Sequence, residues 1–345
     1  MSPSRLRACL TAAVAAALPI ALLGGGSASA AGGAPLPAHV FAPYFETWTT
    51  DSISTLAQQS GARYLTLAFL QTLGKTSCTL AWNGDRSQTL PSGRYTSDIA
   101  ALRATGGDVV PSFGGWSADQ GGTEIGDSCG DVNAIAAAYE SVVTTYGVTR
   151  LDMDIEGRSL TRTDGIDRRN KAIKLLQDWA AATGRTVQVV YTLPTSASGL
   201  EASGLAVLQN AVANGARVDI VNIMTFDYYD RVTTDMGAAA IGAAQGLFAQ
   251  LHGLYPAKTP AELWAMQGNT IMPGLDDYPR RTEVTYPADA QRLLDFARAN
   301  GIGLLSMWAI QRDNGGCPGN TGSNSCSGIV QNTWDFTTIL APYSG

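Results

Sequence analysis

The chain has 345 residues, of which 23 are basic, 29 are acidic and two are histidine, so its formal net charge at pH 7 is −6. An acidic chain of this kind is a poor candidate for binding nucleic acid or an anionic membrane surface. The length exceeds that of an ordinary domain but is usual for a single α/β barrel.

The first thirty residues have the pattern of a secretory signal peptide. Arg5 and Arg7 precede an apolar stretch at residues 9–23, and Ala-Ser-Ala at residues 28–30 supplies a cleavage site. The apolar stretch is shorter than the roughly 20 residues that a membrane-spanning helix needs. We therefore predict a secreted protein whose mature domain is residues 31–345, without a membrane anchor.

Short apolar runs rich in β-branched residues then alternate with stretches of helical periodicity. The strand candidates are residues 39–45, 64–70, 108–113, 150–155, 186–193, 218–226, 270–273 and 302–310. The clearest helix candidates are residues 134–146, 168–183 and 288–300, each followed by a glycine where a C-cap is expected. Eight strands with helices between them predict an α/β fold of the (β/α)₈ (TIM) barrel type.

Two further features bear on the architecture. An open doubly wound sheet is the alternative fold, but the residues after the first strand lack the glycines of a phosphate-binding turn. The interval between the seventh and eighth strands can hold one loop and one helix, so we expect no large inserted subdomain. The chain has neither an internal repeat nor a Pro- or Ser-rich linker, which predicts a single catalytic domain.

Four cysteines remain after the predicted cleavage, namely Cys78, Cys129, Cys317 and Cys326. Three pairings are possible, and an exported chain favours two disulfides. Cys317 and Cys326 flank a short flexible loop that closes easily, so we favour 317–326 and, by elimination, 78–129. With two histidines and no C-x-x-C spacing, the sequence predicts no metal site, and no motif predicts a cofactor.

The sequence LDMDIEG at residues 151–157 is the most informative segment. Alternation along a strand directs Asp152, Asp154 and Glu156 to one face and the intervening apolar residues to the other. Inside a barrel, close carboxylates raise one another's pKa and titrate as a coupled set. Glu156 is nearest the carboxyl end of the strand, where barrel active sites open, so we predict that it is a general acid. An edge strand with solvated acids is the alternative.

These residues resemble family 18 of the glycoside hydrolases, which contains chitinases and endo-β-N-acetylglucosaminidases. The family pattern D-x-x-D-x-D-x-E is similar to residues 149–156, except that Thr149 stands at the first position. SFGGWS at residues 112–117, MTFDY at 224–228 and SMWAIQRD at 306–313 are similar to its third-, sixth- and eighth-strand motifs. The resemblance covers nearly all of residues 38–340.

The resemblance implies a retaining mechanism in which the substrate supplies the nucleophile. Glu156 would protonate the glycosidic oxygen while the N-acetyl carbonyl of the sugar attacks its own anomeric carbon. Asp154 would hold the acetamide N–H, and Asp152 would share a proton with Asp154. Asp227 and Tyr228 would orient the acetamide, the tyrosine through its hydroxyl, since Phe226 stands where many family members have a tyrosine.

The predicted substrate contacts are mainly aromatic. Trp308 would form the floor of the subsite in which the sugar distorts, and Met224, Tyr44 and Trp116 are expected to contribute further contacts. Trp48 and Trp82 fall in or near early loops, where they could either extend the groove or stabilise the fold.

The favoured function is a secreted, monomeric, endo-acting chitinase whose partners are chitin or N-acetylglucosamine oligosaccharides. An endo-β-N-acetylglucosaminidase acting on glycoprotein N-glycans is the close rival, because both activities need the same acetamide. A non-catalytic chitin-binding barrel is the alternative from another class. A serine or thiol hydrolase is disfavoured because the sequence has no G-x-S-x-G elbow.

Overall fold

The computed structural model describes residues 33–344, so the predicted signal peptide lies outside the described residues. Within that range the strands are β1 (Val40–Phe41), β2 (Tyr44–Glu46), β3 (Tyr64–Thr72), β4 (Leu80–Trp82), β5 (Asp108–Gly114), β6 (Arg150–Asp154), β7 (Gln188–Ser196), β8 (Gly199–Leu200), β9 (Ile220–Met224), β10 (Gln267–Ile271), β11 (Gly274–Leu275), β12 (Val284–Thr285) and β13 (Leu304–Met307). The α-helices of the same range are α1 (Ile53–Ser60), α2 (Thr96–Ala104), α3 (Trp116–Gly121), α4 (Ile125–Ser128), α5 (Val132–Tyr146), α6 (Thr163–Ala182), α7 (Ala202–Ala213), α8 (Met236–Leu254), α9 (Pro260–Ala265), α10 (Pro287–Asn300) and α11 (Asp335–Leu340).

The parallel strands close into a barrel because the first barrel strand pairs with a neighbour on each side. Hydrogen-bonded neighbours follow the order β1, β13, β10, β9, β7, β6, β5, β3 and β2. Strands β1 and β2 are two halves of one strand: Val40 pairs with Leu304 of β13, and Tyr44 pairs with Thr66 of β3. The first strand therefore joins both edges of the sheet, and the predicted (β/α)₈ barrel is confirmed.

The strand that carries the acidic motif separates two layers of the molecule. Leu151, Met153 and Ile155 are buried in the large apolar core that the strands share with the surrounding helices. Helix α5, which packs in that core, begins at an N-cap where the Asp131 side chain accepts backbone N–H bonds, and it ends at left-handed Gly147. These local signals fix where α5 begins and ends. Because the apolar residues of β6 face this core, the acidic face of the strand is directed toward the barrel interior.

The seventh barrel strand differs most from the sequence prediction. It begins at Gln267 rather than at residue 270. Gln267 and Asn269 are polar, which hid the strand in the sequence, but both are fully buried, and Asn269 Nδ2 donates to the carbonyl of Ala240 in α8. Gly268, which suggests a turn in the sequence, lies within the strand, where a Cβ would come within 2.9 Å of Asn222 Oδ1. Glycine is needed here because the neighbouring strand comes close at Asn222, and not because the chain turns.

The connection from β10 to β13 contains the antiparallel pair β11–β12 and helix α10. This small pair and the short strands β4 and β8, which are two or three residues long, were not predicted from the sequence. Helix α6 also begins five residues before its predicted start. The connection nevertheless holds no large inserted subdomain.

The four cysteines form the two predicted disulfides. Cys78 pairs with Cys129, which joins the loop after β3 to the end of α4. Cys317 pairs with Cys326 and closes a loop between β13 and α11. The predicted pairing is therefore confirmed. Across residues 33–344, no helix combines the length and the apolar character needed to cross a membrane.

Candidate active site

A cleft of about 790 Å³ opens at the carboxyl ends of the barrel strands. Four carboxyl side chains line it, namely Asp154, Glu156, Asp227 and Asp277. Its aromatic lining consists of Tyr44, Trp48, Phe69, Trp116, Phe226, Tyr229 and Trp308. Among the lining residues of the described chain none is basic. The cleft therefore combines flat apolar surfaces with acidic groups.

Asp152 is the innermost member of the acid row on β6. Its carboxylate accepts hydrogen bonds from Ser112 Oγ at 2.6 Å, Thr192 Oγ1 at 2.6 Å and Tyr44 Oη at 2.9 Å. Burial raises the pKa of Asp152 to about 6, although these three hydrogen bonds act in the opposite direction. Tyr44, which lies on the first barrel strand and was predicted to contact the substrate, thus also donates a hydrogen bond to the acid row.

Asp154 follows on the same face and lines the cleft. Its side chain is almost fully buried, and its Oδ1 has no hydrogen-bond partner within residues 33–344. Burial raises the pKa of Asp154 well above its usual range, and the neighbouring carboxyl groups of Glu156, Asp152 and Asp119 raise it further. The proton that the row retains therefore resides on Asp154 in preference to Asp152.

Glu156 lies two residues beyond the end of β6 and reaches the cleft. Burial and the charge of Asp277 raise the pKa of its carboxyl, and the Trp116 backbone N–H lowers it. Together these effects place the pKa at about 7. A carboxyl group with this pKa carries a proton for much of the time near neutral pH, as a general acid must. Glu156 and Trp308 line the same cleft, as the sequence analysis requires.

Stacked aromatic rings form one surface of the cleft. Trp308 lies almost parallel to Phe69, with ring centroids 5.6 Å apart and planes 13° apart, and Tyr44 packs at 5.5 Å from the indole. Gly115 lets Phe69 approach, since a Cβ there would lie 2.5 Å from the Phe69 ring. The second glycine of SFGGWS thus has a structural reason, and the flat surface suits the apolar face of a sugar ring.

The other three tryptophans considered as possible sugar contacts divide into two groups. Trp48 and Trp116 line the cleft and are 43% and 61% exposed. Trp82 is fully buried and its Nε1–H donates to Tyr146 Oη at 2.9 Å, so this indole stabilises the fold. Met224, at the end of β9, is buried and also lines the cleft.

Asp227, which follows β9, is held in the lining of the cleft by backbone groups. Its N–H donates to Asp276 Oδ2 at 2.9 Å, and its Oδ1 accepts from the N–H of Asp277 at 2.9 Å. Burial and the charges of Asp276 and Asp277 together raise the pKa of Asp227 to about 8. This segment therefore adds to the cleft a further carboxyl with a raised pKa, after a different strand from the one that carries the acid row.

The structure does not support the role predicted for Tyr228. Its hydroxyl is buried without a partner in the described chain, and it is not among the cleft-lining residues. Tyr229, which the sequence analysis did not select, is half exposed and lines the cleft instead. Asp227 and Tyr229 have left-handed backbones with φ of 52° and 54°, and the N–H groups of Tyr228 and Tyr229 donate to Glu283. In this structure the turn therefore places Tyr229, and not Tyr228, in the lining of the cleft.

Three further side chains at the site were missed. Phe69 looks like an ordinary apolar strand residue in the sequence, and Asp277 lies in the irregular segment after β10. Asp119 is fully buried in α3, and its carboxylate accepts the backbone N–H of Glu156. The only available signal was the position of Asp119 directly after the SFGGWS motif. In the described part of the chain, no three His, Cys, Asp or Glu side chains are grouped as metal ligands would be.

Comparison with known proteins is consistent across sequence and structure. Residues 40–286 match the family described as Glycosyl hydrolases family 18. The probable bifunctional chitinase/lysozyme of Escherichia coli K12 is 33% identical over 322 residues, which cover 89% of this chain and 35% of that protein. Endochitinase 11 of Metarhizium anisopliae is 34% identical over 288 residues, which cover 80% of this chain and 53% of that protein. The chain thus spans between about a third and a half of the length of these relatives.

Solved structures show the same barrel. The catalytic domain of the hyperthermophilic chitinase from Pyrococcus furiosus superposes with a TM-score of 0.79 at 30% identity, covering 90% of this chain and 97% of that one. A chitinase from Ipomoea carnea has a TM-score of 0.53 at 13% identity, which supports the fold alone.

Proposed function

The chain belongs to the glycosyl hydrolases of family 18, and on this basis we propose that it hydrolyses chitin or related β-1,4-linked N-acetylglucosamine polymers by a substrate-assisted, retaining mechanism. One observation carries the proposal. The Glu156 carboxyl, with a pKa raised to about 7, shares a cleft with the parallel rings of Phe69 and Trp308. A proton donor beside a flat apolar surface is what cleavage of a glycosidic bond requires.

The acid row supports a nucleophile that belongs to the substrate. In a retaining enzyme with a protein nucleophile, the second carboxylate must be charged and free to attack. Asp154 is instead buried, and its pKa is well above the usual range, so it retains its proton and attacks poorly. Its unpaired Oδ1, within the described part of the chain, would accept the acetamide N–H. The acetamide carbonyl can then form the bond to the anomeric carbon.

Protons on the same row would move as charge develops during the reaction. Glu156 would give its proton to the leaving oxygen and later take one from the attacking water. As positive charge develops on the sugar ring, the proton shared by Asp154 and Asp152 would move toward Asp152, which leaves negative charge beside the oxazolinium ion. Asp227 and Tyr229 in the lining of the cleft would contact the same sugar.

Product stereochemistry tests this mechanism directly. An N-acetylglucosamine hexamer is hydrolysed and the anomer of the new reducing end is followed by proton NMR within the first minutes. We expect the β-anomer first and no cleavage of a cellulose hexamer, because cellulose lacks the 2-acetamido group. Initial release of the α-anomer would exclude a retaining mechanism. A high-mannose glycoprotein treated in parallel tests the rival endo-β-N-acetylglucosaminidase activity, and its preferential cleavage would reassign the substrate.

An endo-acting enzyme is the form of this activity that the cleft favours. The connection between β10 and β13 adds only a two-residue strand pair and α10, so the adjacent wall is low. A low wall lets an internal segment of a polymer enter from the side. On colloidal chitin we expect intermediate oligomers early in the time course. Release of disaccharide alone from the start would contradict endo action.

We also propose that the protein is secreted and acts as a monomer. The pattern of residues 1–30 and the two disulfides support export to an oxidising compartment. The acid row, Asp227 and the stacked rings that the proposed mechanism uses all come from this one chain, so the mechanism needs no residue from a second copy. Cell fractionation tests the location, and size-exclusion chromatography with light scattering tests the oligomeric state.

A further inference from the structure

Asp119 occupies the place of a missing strand neighbour beside Glu156. Strands β5 and β6 pair as far as Gly114 and Asp154, after which the Gly115 N–H donates to the Asp154 carbonyl at 3.2 Å. The chain then leaves the sheet to form α3, so the next N–H on this side of β6, that of Glu156, has no backbone acceptor from β5. The Asp119 carboxylate accepts this hydrogen bond instead. One side chain thus extends the ladder to the residue that carries the proposed acid.

The surroundings of Asp119 leave it without a neutralising cation. Its side chain is fully buried, and its Oδ1 has no partner among residues 33–344. The charged or titratable groups that face it are Glu124, Glu156, Asp154 and Arg169. Arg169 is committed to Glu124 through two hydrogen bonds, Nε to Oε1 at 3.1 Å and Nη2 to Oε2 at 2.8 Å. Asp119 therefore faces carboxyl groups without an ion pair of its own.

A buried carboxyl group in such surroundings holds its proton. Burial raises the pKa of Asp119 well above its usual range, and the charges of Glu124 and Glu156 raise it further, while the hydrogen bond from the Glu156 N–H and the charge of Arg169 lower it. Asp119 also raises the pKa of Asp154. The carbonyl oxygen of a protonated carboxyl can still accept an N–H bond, so neutrality does not remove the contact with Glu156.

We propose that Asp119 is a positioning residue which, as a neutral carboxyl group, fixes the backbone of Glu156 and so aims the proposed acid into the cleft. The inference rests on the proposed function. It adds to the acid row of β6 a fourth carboxyl that comes from a different element. Since misplacement of a reacting group by about 1 Å can cost about a hundredfold in rate, this hydrogen bond has a measurable effect on catalysis.

The test compares D119A and D119N with a matched variant, D127A, on an N-acetylglucosamine oligomer. Asp127 lies in the same buried cluster, but its carboxylate accepts from Ser159 Oγ rather than from Glu156. We expect D119A to lower kcat roughly 10- to 100-fold with KM changed less than about threefold. D119N, which has the shape of the neutral acid and keeps the acceptor, should restore kcat to within about threefold of the wild type. D127A should leave kcat near the wild-type value.

The outcomes separate the inference from the proposed function. Hydrolysis by the wild type and its loss in E156Q are measured first, and failure at that stage overturns the function. If the wild type is active, an unchanged kcat in D119A overturns the positioning role. A loss in D119N as large as in D119A overturns the claim that the carboxyl is neutral. Circular dichroism confirms folding, and D119S replaces D119A if the latter is unfolded.

Discussion

The two sides of the cleft are built in different ways. The acid row stands on a regular strand, where alternation sets the direction of Asp152, Asp154 and Glu156 and three side-chain hydroxyl groups satisfy the innermost carboxylate. The other side stands on irregular chain, where Asp227 and Glu283 are held by backbone N–H groups and the backbone is left-handed at Asp227 and Tyr229, among other positions. We call these regions the strand side and the loop side.

This difference assigns each side a task. A strand fixes side-chain positions through its neighbours in the sheet, so the strand side suits proton transfer, which needs accurate geometry. The loop side depends on contacts between segments distant in sequence, such as Asp227 with residues 276–277, and suits recognition of the sugar. Variants on the strand side should therefore change kcat and its pH dependence, and those on the loop side should change kcat/KM mainly through binding.

The largest effect is expected for Glu156→Gln on the strand side. Glutamine keeps the shape of the side chain but cannot donate the same proton, so kcat should fall roughly 10²- to 10⁴-fold. Binding of an N-acetylglucosamine oligomer, followed by tryptophan fluorescence, should be retained because the stacked rings of Phe69 and Trp308 are untouched. The exposed Glu201 provides the control E201Q, which should behave as wild type. Equal hydrolysis by E156Q and wild type would show that the acid is misassigned.

The next largest effect is expected for Arg312→Lys, which loosens the loop side. The buried guanidinium donates to the carbonyls of Pro273, Leu275 and Ser323, and thereby ties the segment after β10 to the loop that Cys317–Cys326 closes. Lysine cannot reproduce this planar set of donors. We expect kcat/KM to fall roughly tenfold, mainly through KM, and the free energy of unfolding to fall by about 2–3 kcal/mol.

Steady-state kinetics and thermal unfolding measure both effects of R312K, with R292K as the control. Arg292 is exposed, and its partners Asp235 and Asp289 lie on the surface, so its replacement should change little. A normal KM with a shifted pH profile in R312K would contradict the assignment of binding to the loop side, because the substitution would then have changed the titration of the acid row.

The same contrast explains what could be predicted from the sequence. The fold and the acid row followed from apolar periodicity, since Leu151 and Met153 must face the helices and Asp152 and Asp154 must then face inward. The exchange of Tyr228 for Tyr229 did not follow, because it depends on left-handed turns that Asp227 and Tyr229 adopt only when Glu283 and Asp276 hold them. Asp119 was missed because its partner is a backbone N–H, which no side-chain motif records.

The pH profile provides a smaller and more specific test of the strand side. Glu156 must hold its proton, so kcat/KM should fall above about pH 7, approaching tenfold per pH unit as its pKa of about 7 is passed. Asp152, with a pKa of about 6, must be able to carry negative charge, so kcat/KM should also fall below about pH 6. We call the fall above pH 7 the basic limb and the fall below pH 6 the acid limb. Because the carboxyl groups are coupled, both limbs reflect titration of the acid row as a whole.

Tyr44→Phe should move only one of these limbs. The Tyr44 hydroxyl donates to Asp152 and lowers the pKa of that carboxyl, so its removal raises that pKa and moves the acid limb to higher pH. The basic limb, which reports Glu156, should stay in place. Initial rates between pH 4 and 9 on one soluble oligomer measure both limbs. A shift of the basic limb alone would assign the two carboxyl groups to the wrong limbs.

The smallest effect, and the sharpest test of the loop side, comes from its two adjacent tyrosines. Tyr229→Phe removes a hydroxyl from the cleft wall and should lower kcat/KM roughly three- to tenfold, since a lost hydrogen bond to substrate costs about 1 kcal/mol. Tyr228→Phe removes a buried hydroxyl that has no partner in the described chain, so kcat/KM should change less than about twofold and stability should not fall. The two variants carry the same chemical change at adjacent positions, so each is the control for the other. A larger loss in Y228F than in Y229F would instead support the tyrosine that the family resemblance indicated and contradict the role proposed for Tyr229.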